Sequence, residues 1–283
     1  MKIRAAVFVR PRGFTLLELL VAMAVLCFIL AILLQISGQV VWATRFFNNQ
    51  MDASRQNRAV LDTLAADLSN RITSAGETIF TRPQGNNSEL IFITRSRGPS
   101  ASTDFRFLAV DYKLATNQVI RKTQEVYWNS IDLTSLALGT TSSTVSDSMQ
   151  GILRLEVVAV LSDGSLAPLP ASSSSVTWAI STWQGSTLSE GFQALIISGS
   201  RNSQAQSQVR AIIVAVASLD PQSLQIITRL NIDLANKLPA ATSGQTPVGA
   251  WNTAIANGAL AGVPSSVVSS LQFSQQIYPL NTP

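Results

Sequence analysis

The chain has 283 residues, with 20 Lys and Arg against 16 Asp and Glu, and it contains no histidine. The missing imidazole removes the commonest general base and the commonest metal ligand, so neither an enzyme nor a cofactor is expected. A single cysteine, Cys27, excludes an intrachain disulfide, and 46% hydrophobic residues over this length are enough to build a core without one.

Residues 1–13 hold Lys2, Arg4, Arg10 and Arg12 and no acid, which leaves residues 14–283 with equal numbers of basic and acidic side chains. The basic balance of the chain is therefore a topology signal, and no nucleic-acid partner is expected. Four cations ahead of an apolar span keep the leader in the cytoplasm and send the rest of the chain outward. The run from Phe14 to Leu34 is long enough to cross a bilayer at about 1.5 Å per residue, and its only charge is Glu18. A carboxylate at that depth costs about 2.5–3.5 kcal/mol, which makes Glu18 a candidate functional residue by default. A conventional secretory signal is shorter and closes on a small-x-small site, which is absent directly after this run. A lipoprotein signal acylating Cys27 is opposed by the bulk of Leu26. An ordinary single-span anchor leaves Gly13 and Glu18 unexplained.

The stretch Gly13-Phe14-Thr15-Leu16-Leu17-Glu18-Leu19-Leu20, behind a basic leader and ahead of an apolar helix, resembles the class III signal of type IV prepilins and type II secretion pseudopilins. The resemblance covers about thirty residues. It implies cleavage after Gly13 by a membrane prepilin peptidase, N-methylation of the new terminus at Phe14, and a role for Glu18 in assembly, with the methylated ammonium of Phe14 as its nearest charge partner.

Beyond the span, apolar residues recur at Phe47, Met51, Leu61, Leu64, Leu68 and Ile72, with charges on the other faces, so one helix is expected from Thr15 to about Ser74, ending near Gly76. Trp42 is expected at the outer membrane interface. The period then changes to that of strands, at 89–94, 104–114, 119–122 and on to 126–128, 152–161, 194–198 and 210–218. Turns are expected at 115–118 and 162–165, and Ser-rich loops at 139–148, 170–175 and 199–208. The helix segments Leu61-Asp62-Thr63-Leu64 and Ala66-Asp67-Leu68, with the hairpin around Ala115–Gln118, resemble the J-type minor pseudopilins, large subunits near a filament tip. Asp220-Pro221 ahead of a helix to Lys237, and the end from Phe273 to Leu280, are similar to the C-type prepilin-like cassette proteins described in Verrucomicrobia.

No other constellation points to chemistry. Asp62 with Asp67, and Asp104 with Asp111, share no enforced site and read as solvated faces. Ser172–Ser175 lacks a base to activate a nucleophile, and Asp163-Gly164 reads as a turn, without the ligand series of a calcium loop. Trp128, Trp178, Trp183 and Trp251 read as core or subunit contacts. From Pro239 to Pro283 there is no ionisable side chain of the Asp, Glu, Lys or Arg type, while Val248, Trp251, Ile255, Leu260, Val263, Val267, Val268, Leu271, Phe273, Ile277, Tyr278 and Leu280 are apolar. Such a segment is no free tail. It either completes the domain's core or forms a subunit interface, with a short helix over 264–272 and a strand over 273–278.

The expected architecture is α+β: a leader at 1–13, a membrane and assembly helix at 14–42, its amphipathic continuation at 43–76, and a globular domain at 77–283 in which the helix packs on an antiparallel sheet. The resemblance implies a minor pilin-like pseudopilin at the inner membrane, single-pass, N-terminus cytoplasmic and C-terminal domain outside. Its implied partners are the prepilin peptidase, other pilins or pseudopilins, the inner-membrane assembly platform and membrane lipid. A minor type IV pilin for adhesion or DNA uptake, and a membrane-anchored binding domain, stand as alternatives.

Overall fold

The computed structural model describes residues 15–72, 77–84, 87–97, 105–126, 144–161, 163–168, 177–181, 192–194 and 209–280. The chain divides after Asn48 into two structural units. Helix α1, Leu16–Ser69, begins in the first and ends in the second.

From Leu16 to Leu34 α1 is apolar on all sides apart from Glu18, and every residue there is exposed. In the second unit the helix has one buried face, because Ala53, Asn57, Val60, Leu61, Leu64 and Leu68 recur at three- and four-residue steps. Phe47 and Met51, expected in that stripe, are exposed instead. The helix also stops five residues short of the expected Ser74. The Ser69 hydroxyl and the Asn70 amide both donate to the Ala66 carbonyl, at 2.8 and 2.9 Å, diverting an acceptor that the last turn needs. Arg71 then bridges to Thr94, and Ile72 N–H donates to the Ile93 carbonyl at 3.0 Å, so the chain leaves the helix by joining a sheet. Gly76 lies outside the described residues.

The strands are β1 (Glu77–Gln84), β2 (Asn87–Arg97), β3 (Phe105–Ala115), β4 (Gln118–Val126), β5 (Thr144–Gln150), β6 (Ile152–Leu161), β7 (Leu166–Pro168), β8 (Thr177–Ser181), β9 (Phe192–Ala194) and β10 (Val209–Ser218). After them come helices α2 (Pro221–Arg229), α3 (Leu234–Lys237), α4 (Pro247–Ala256) and α5 (Ser265–Ser270), and a last strand, β11 (Gln272–Pro279). They form two sheets rather than one, in the orders β5-β4-β3-β2-β1-β8-β9 and β11-β10-β6-β7. The pairings are antiparallel except β8 with β9, which is parallel. The α+β class therefore holds, with one parallel edge.

Turn chemistry fixes the register. Thr116 and Asn117 take φ of 49° and 59°, the two-residue hairpin geometry that matches strand twist, at the expected turn. β5 occupies part of the stretch expected to be a Ser-rich loop. Its bonds to β4 are made by the backbone, and an edge strand needs few apolar side chains to form them. The loops expected at 170–175 and 199–208, and residues 127–128 and 195–198, lie outside the described residues. Gly151, at φ +79°, joins β5 to β6, and a Cβ there would meet the Leu219 carbonyl oxygen at 2.9 Å.

Two large buried clusters flank the smaller sheet. In one, the buried face of α1 meets Leu90, Phe92, Val110, Tyr112 and Val119 of the larger sheet and Leu155, Val157, Ile212 and Val214 of the smaller. In the other, the opposite face of the smaller sheet is covered by the C-terminal helices through Leu219, Ile227, Leu234, Leu238, Trp251, Leu260 and Val267. Trp251 is fully buried, donates from Nε1 to the Pro239 carbonyl at 3.1 Å and lies 5.3 Å from Phe273. The helix expected to run from Pro221 to Lys237 breaks at Asn231, which takes φ +51°. Of the two readings of residues 239–283, core completion is the one these contacts describe: among the large apolar side chains described there, only Ile277 is exposed.

Candidate functional site

The N-terminus of α1 is built by two side chains. Thr15 is the N-cap and Glu18 the third helical residue. The Thr15 N–H and hydroxyl both donate to Glu18 Oε2, at 3.0 and 3.1 Å, and the Glu18 N–H donates back to Thr15 Oγ1 at 3.3 Å. This is a reciprocal capping box, which satisfies two amide donors that a helix start otherwise leaves open. The signal lies in the sequence, a Thr three residues before a Glu at the head of an apolar run, and reading Glu18 as a lone acid passes over it. Oε2 is occupied by the cap, while Oε1 makes no hydrogen bond among the described residues. A negative group at this end also lies favourably in the helix dipole. Gly13 and Phe14 lie outside the described residues, as does the side chain of Trp42.

Several other charged groups brace the second unit. Asp67, expected on a solvated face, instead receives the Tyr112 hydroxyl and a two-pronged contact from Arg121, Nε to Oδ2 at 2.7 Å and Nη2 to Oδ1 at 3.0 Å. The hydrogen bond to Asp67 is the largest cause raising the Arg121 pKa, and burial followed by the Asp67 charge raises that of the Tyr112 phenol. Position 67 sits beside Leu64 and Leu68 on the helix, which could have flagged it as inward-facing. Asp62 is exposed, and Asp104 lies outside the described residues.

Arg154 and Glu156 form a fully buried pair on β6, Nη2 to Oε2 at 3.2 Å, while Glu156 Oε1 accepts the Ala241 N–H at 2.6 Å. Burial raises the carboxyl pKa of Glu156, and the Ala241 amide is the largest influence opposing it. The pair thus ties the smaller sheet to the chain leading into α4, and its sequence signal is the i, i+2 spacing of opposite charges within an apolar strand run. On the larger sheet, burial and then the charge of Glu89 push the Asp111 carboxyl up to about 7, while Lys113 and Lys122 pull it down. Asp163 Oδ1 accepts from Ser165 N–H and Oγ at 2.8 and 2.7 Å, which closes the expected turn. No group of three potential metal ligands exists among the described residues. Trp128, Trp183 and Ser172–Ser175 lie outside the described residues, as does the side chain of Trp178.

Residues 10–34 match the family described as the prokaryotic N-terminal methylation motif. The chain is prepilin-like in this segment, and the same helix is long and apolar enough to cross a membrane. No curated protein matches the chain in sequence. Among solved structures, a type IV-like pilin from Thermus thermophilus is similar at 9% identity and a TM-score of 0.41, over 80% of this chain and 94% of that one. At that identity and score nothing about function transfers from it.

Proposed function

We propose that this chain is the precursor of a minor pilin-like subunit of the pseudopilin kind, cut between Gly13 and Phe14, methylated at Phe14 and assembled at the inner membrane into a filament serving protein secretion. The observation that carries this reading is the methylation motif over residues 10–34, seated on a helix whose apolar surface has no partner among the described residues. In this scheme the prepilin peptidase admits Gly13 because it has no side chain to exclude. The exposed apolar helix then exchanges lipid for neighbouring pilin helices on the assembly platform. The domain after the helix lies outside the cytoplasm, and the chain acts by assembling and carries out no catalysis.

Glu18 has two tasks in this reading. Oε2 closes the capping box with Thr15, so the helix is defined from its first turn. Oε1 keeps its charge available for the methylated ammonium of Phe14, on the same subunit or a neighbour, because an unpaired carboxylate in an apolar surround is costly. Two substitutions separate the tasks. Glu18→Val loses both and is expected to be processed normally but to incorporate poorly into crosslinked filament. Glu18→Gln keeps an oxygen for the cap and loses the charge, and it is expected to incorporate poorly as well. Normal incorporation of Glu18→Val would contradict the assembly role altogether, and normal incorporation of Glu18→Gln alone would reduce Glu18 to a helix cap.

A further inference from the structure

Strand β11 carries backbone bonding capacity that is unused among the described residues. The Leu280 N–H donates to the Arg210 carbonyl at 2.8 Å, so 280 and 210 are a mutually bonded pair in the antiparallel ladder. Counting back in twos, the even-numbered residues of β11 bond to β10. The N–H and C=O groups of Phe273, Gln275 and Ile277 therefore point the other way, where β11 is the last strand of its sheet. Pro279, the next residue of that set, has no N–H to offer, and its carbonyl accepts from Arg71 Nη1 at 3.4 Å. The outward groups of Phe273, Gln275 and Ile277 have no backbone partner among the described residues. Gln275, Gln276 and Ile277 are exposed, Ile277 at 59%, so the strand is open there on both faces as well as at its edge.

The other sheet edges are protected in ordinary ways. β7 and β9 have three residues each, and β7 ends in Pro168. β5 carries the exposed Asp147. Short length, proline and charge are the usual devices against strand pairing. β11 is eight residues long and has no charge, within a stretch from Pro239 to Pro283 that has none at all.

We propose that β11 is a docking edge for an extended, uncharged polypeptide strand supplied by a different chain, which joins the four-stranded sheet as a fifth strand. Main-chain bonds to Phe273, Gln275 and Ile277 supply the attachment, and side chains beside Gln275 and Ile277 supply the selectivity. The matching partner is uncharged where it lies beside Gln275 and Ile277, because an ionised group there would lose water and find no counter-charge on β11, whose nearest cation, Arg71, sits at the Pro279 end. The β11 strand of a second copy does not meet the geometry. Ala53, Asn57 and Leu61 of α1 meet Ser218, Gln272 and Tyr278 in turn, so α1 runs in the direction of β11. Two-fold antiparallel pairing would run residues 49–69 of the two α1 helices in opposite directions, whereas subunits stacked alike in one filament share a direction. That exclusion rests on the function proposed above; the open edge does not.

The test uses the full chain in detergent micelles and a fluorescent octapeptide copying Gln272–Pro279, which is itself an uncharged strand. Saturable binding is expected. N-methylating one alternating set of the peptide's amides should abolish it, and N-methylating the other set should leave it unchanged. Ile277→Lys should weaken binding by about tenfold or more without moving the melting temperature, since the side chain it replaces is exposed. Absence of saturable binding, equal binding of both N-methylated peptides, or wild-type binding by the Ile277→Lys protein would each overturn the proposal. So would a self-crosslinked dimer through Gln275→Cys in a Cys27→Ser background, because the occupant would then be a second copy.

Discussion

The two parts of α1 are one unbroken helix with opposite relations to solvent. Up to Leu34 it is apolar on every side and exposed on every side, whereas from Asn49 onward most of its apolar residues share one face and that face is buried. The parts differ in the amount of hydrophobicity and in its periodicity. A helix with one apolar stripe needs one packing surface, and the protein's own sheets provide it; a helix apolar all round needs a non-aqueous surround, which lipid or other helices must provide.

The sharpest way to break this comparison is to make the same truncation in both parts. Leu64 is 1% exposed between the two sheets, so Leu64→Ala is expected to cost about 3–4 kcal/mol of unfolding free energy in a denaturant titration. Nearly as large an effect is expected for Asp67→Ala. That change leaves Arg121 and Tyr112 without their shared acceptor in a site where both charged side chains are less than one-fifth exposed, for a loss of about 3 kcal/mol.

A smaller, pH-dependent effect is expected at Asp111. Its carboxyl is pushed up to about 7 in the folded state, so the folded protein holds a proton that the unfolded chain gives up near the ordinary value of 3.8. The sign is the reverse of the usual carboxylate: this group favours folding below about pH 4, and that contribution is lost as pH rises through about 7. The groups setting the shift are Glu89, Lys113 and Lys122. Asp111→Asn should flatten the dependence of stability on pH between about 4 and about 7 and raise the melting temperature at about pH 8. An unchanged slope would show that Asp111 is ionised in the folded protein throughout.

The smallest effect belongs to the first part of the helix. Leu26 is 55% exposed, and Leu26→Ala should shift the unfolding of the second unit by no more than about 0.5 kcal/mol. A loss comparable to that of Leu64→Ala would mean that the first part is packed within the chain, and the contrast would fail.

The periodicity that separates the two parts is also why the helix and the main strands were legible in the sequence. The run Ile152–Leu161 is almost continuously apolar between a glycine and a turn, which identifies a strand buried on both faces without further context, and the strand there matches its expected bounds. β5 was not legible, since an edge strand is held by backbone bonds that leave little trace in side-chain pattern. Nor was the division into two sheets, which depends on pairings between distant segments such as β6 with β10. At the candidate site, Glu18 stands out through the cost of its charge, while its bond to Thr15 rests on a local three-residue spacing that depth in the membrane does not reveal. Asp67 was hidden for a different reason: the assembled sheet alone brings the Arg121 guanidinium to it, whereas Arg154 and Glu156, two residues apart on β6, share a face of their own strand and only their burial depends on the assembled sheets.

The most direct measurement of the central claim is the intact mass of the native protein extracted from the cell envelope, alongside Gly13→Val. The expected result is a chain that begins at Phe14 and carries one added methyl group, and a Gly13→Val protein that keeps residues 1–13. Native protein found in the envelope with Met1 or Lys2 still at its N-terminus would contradict it.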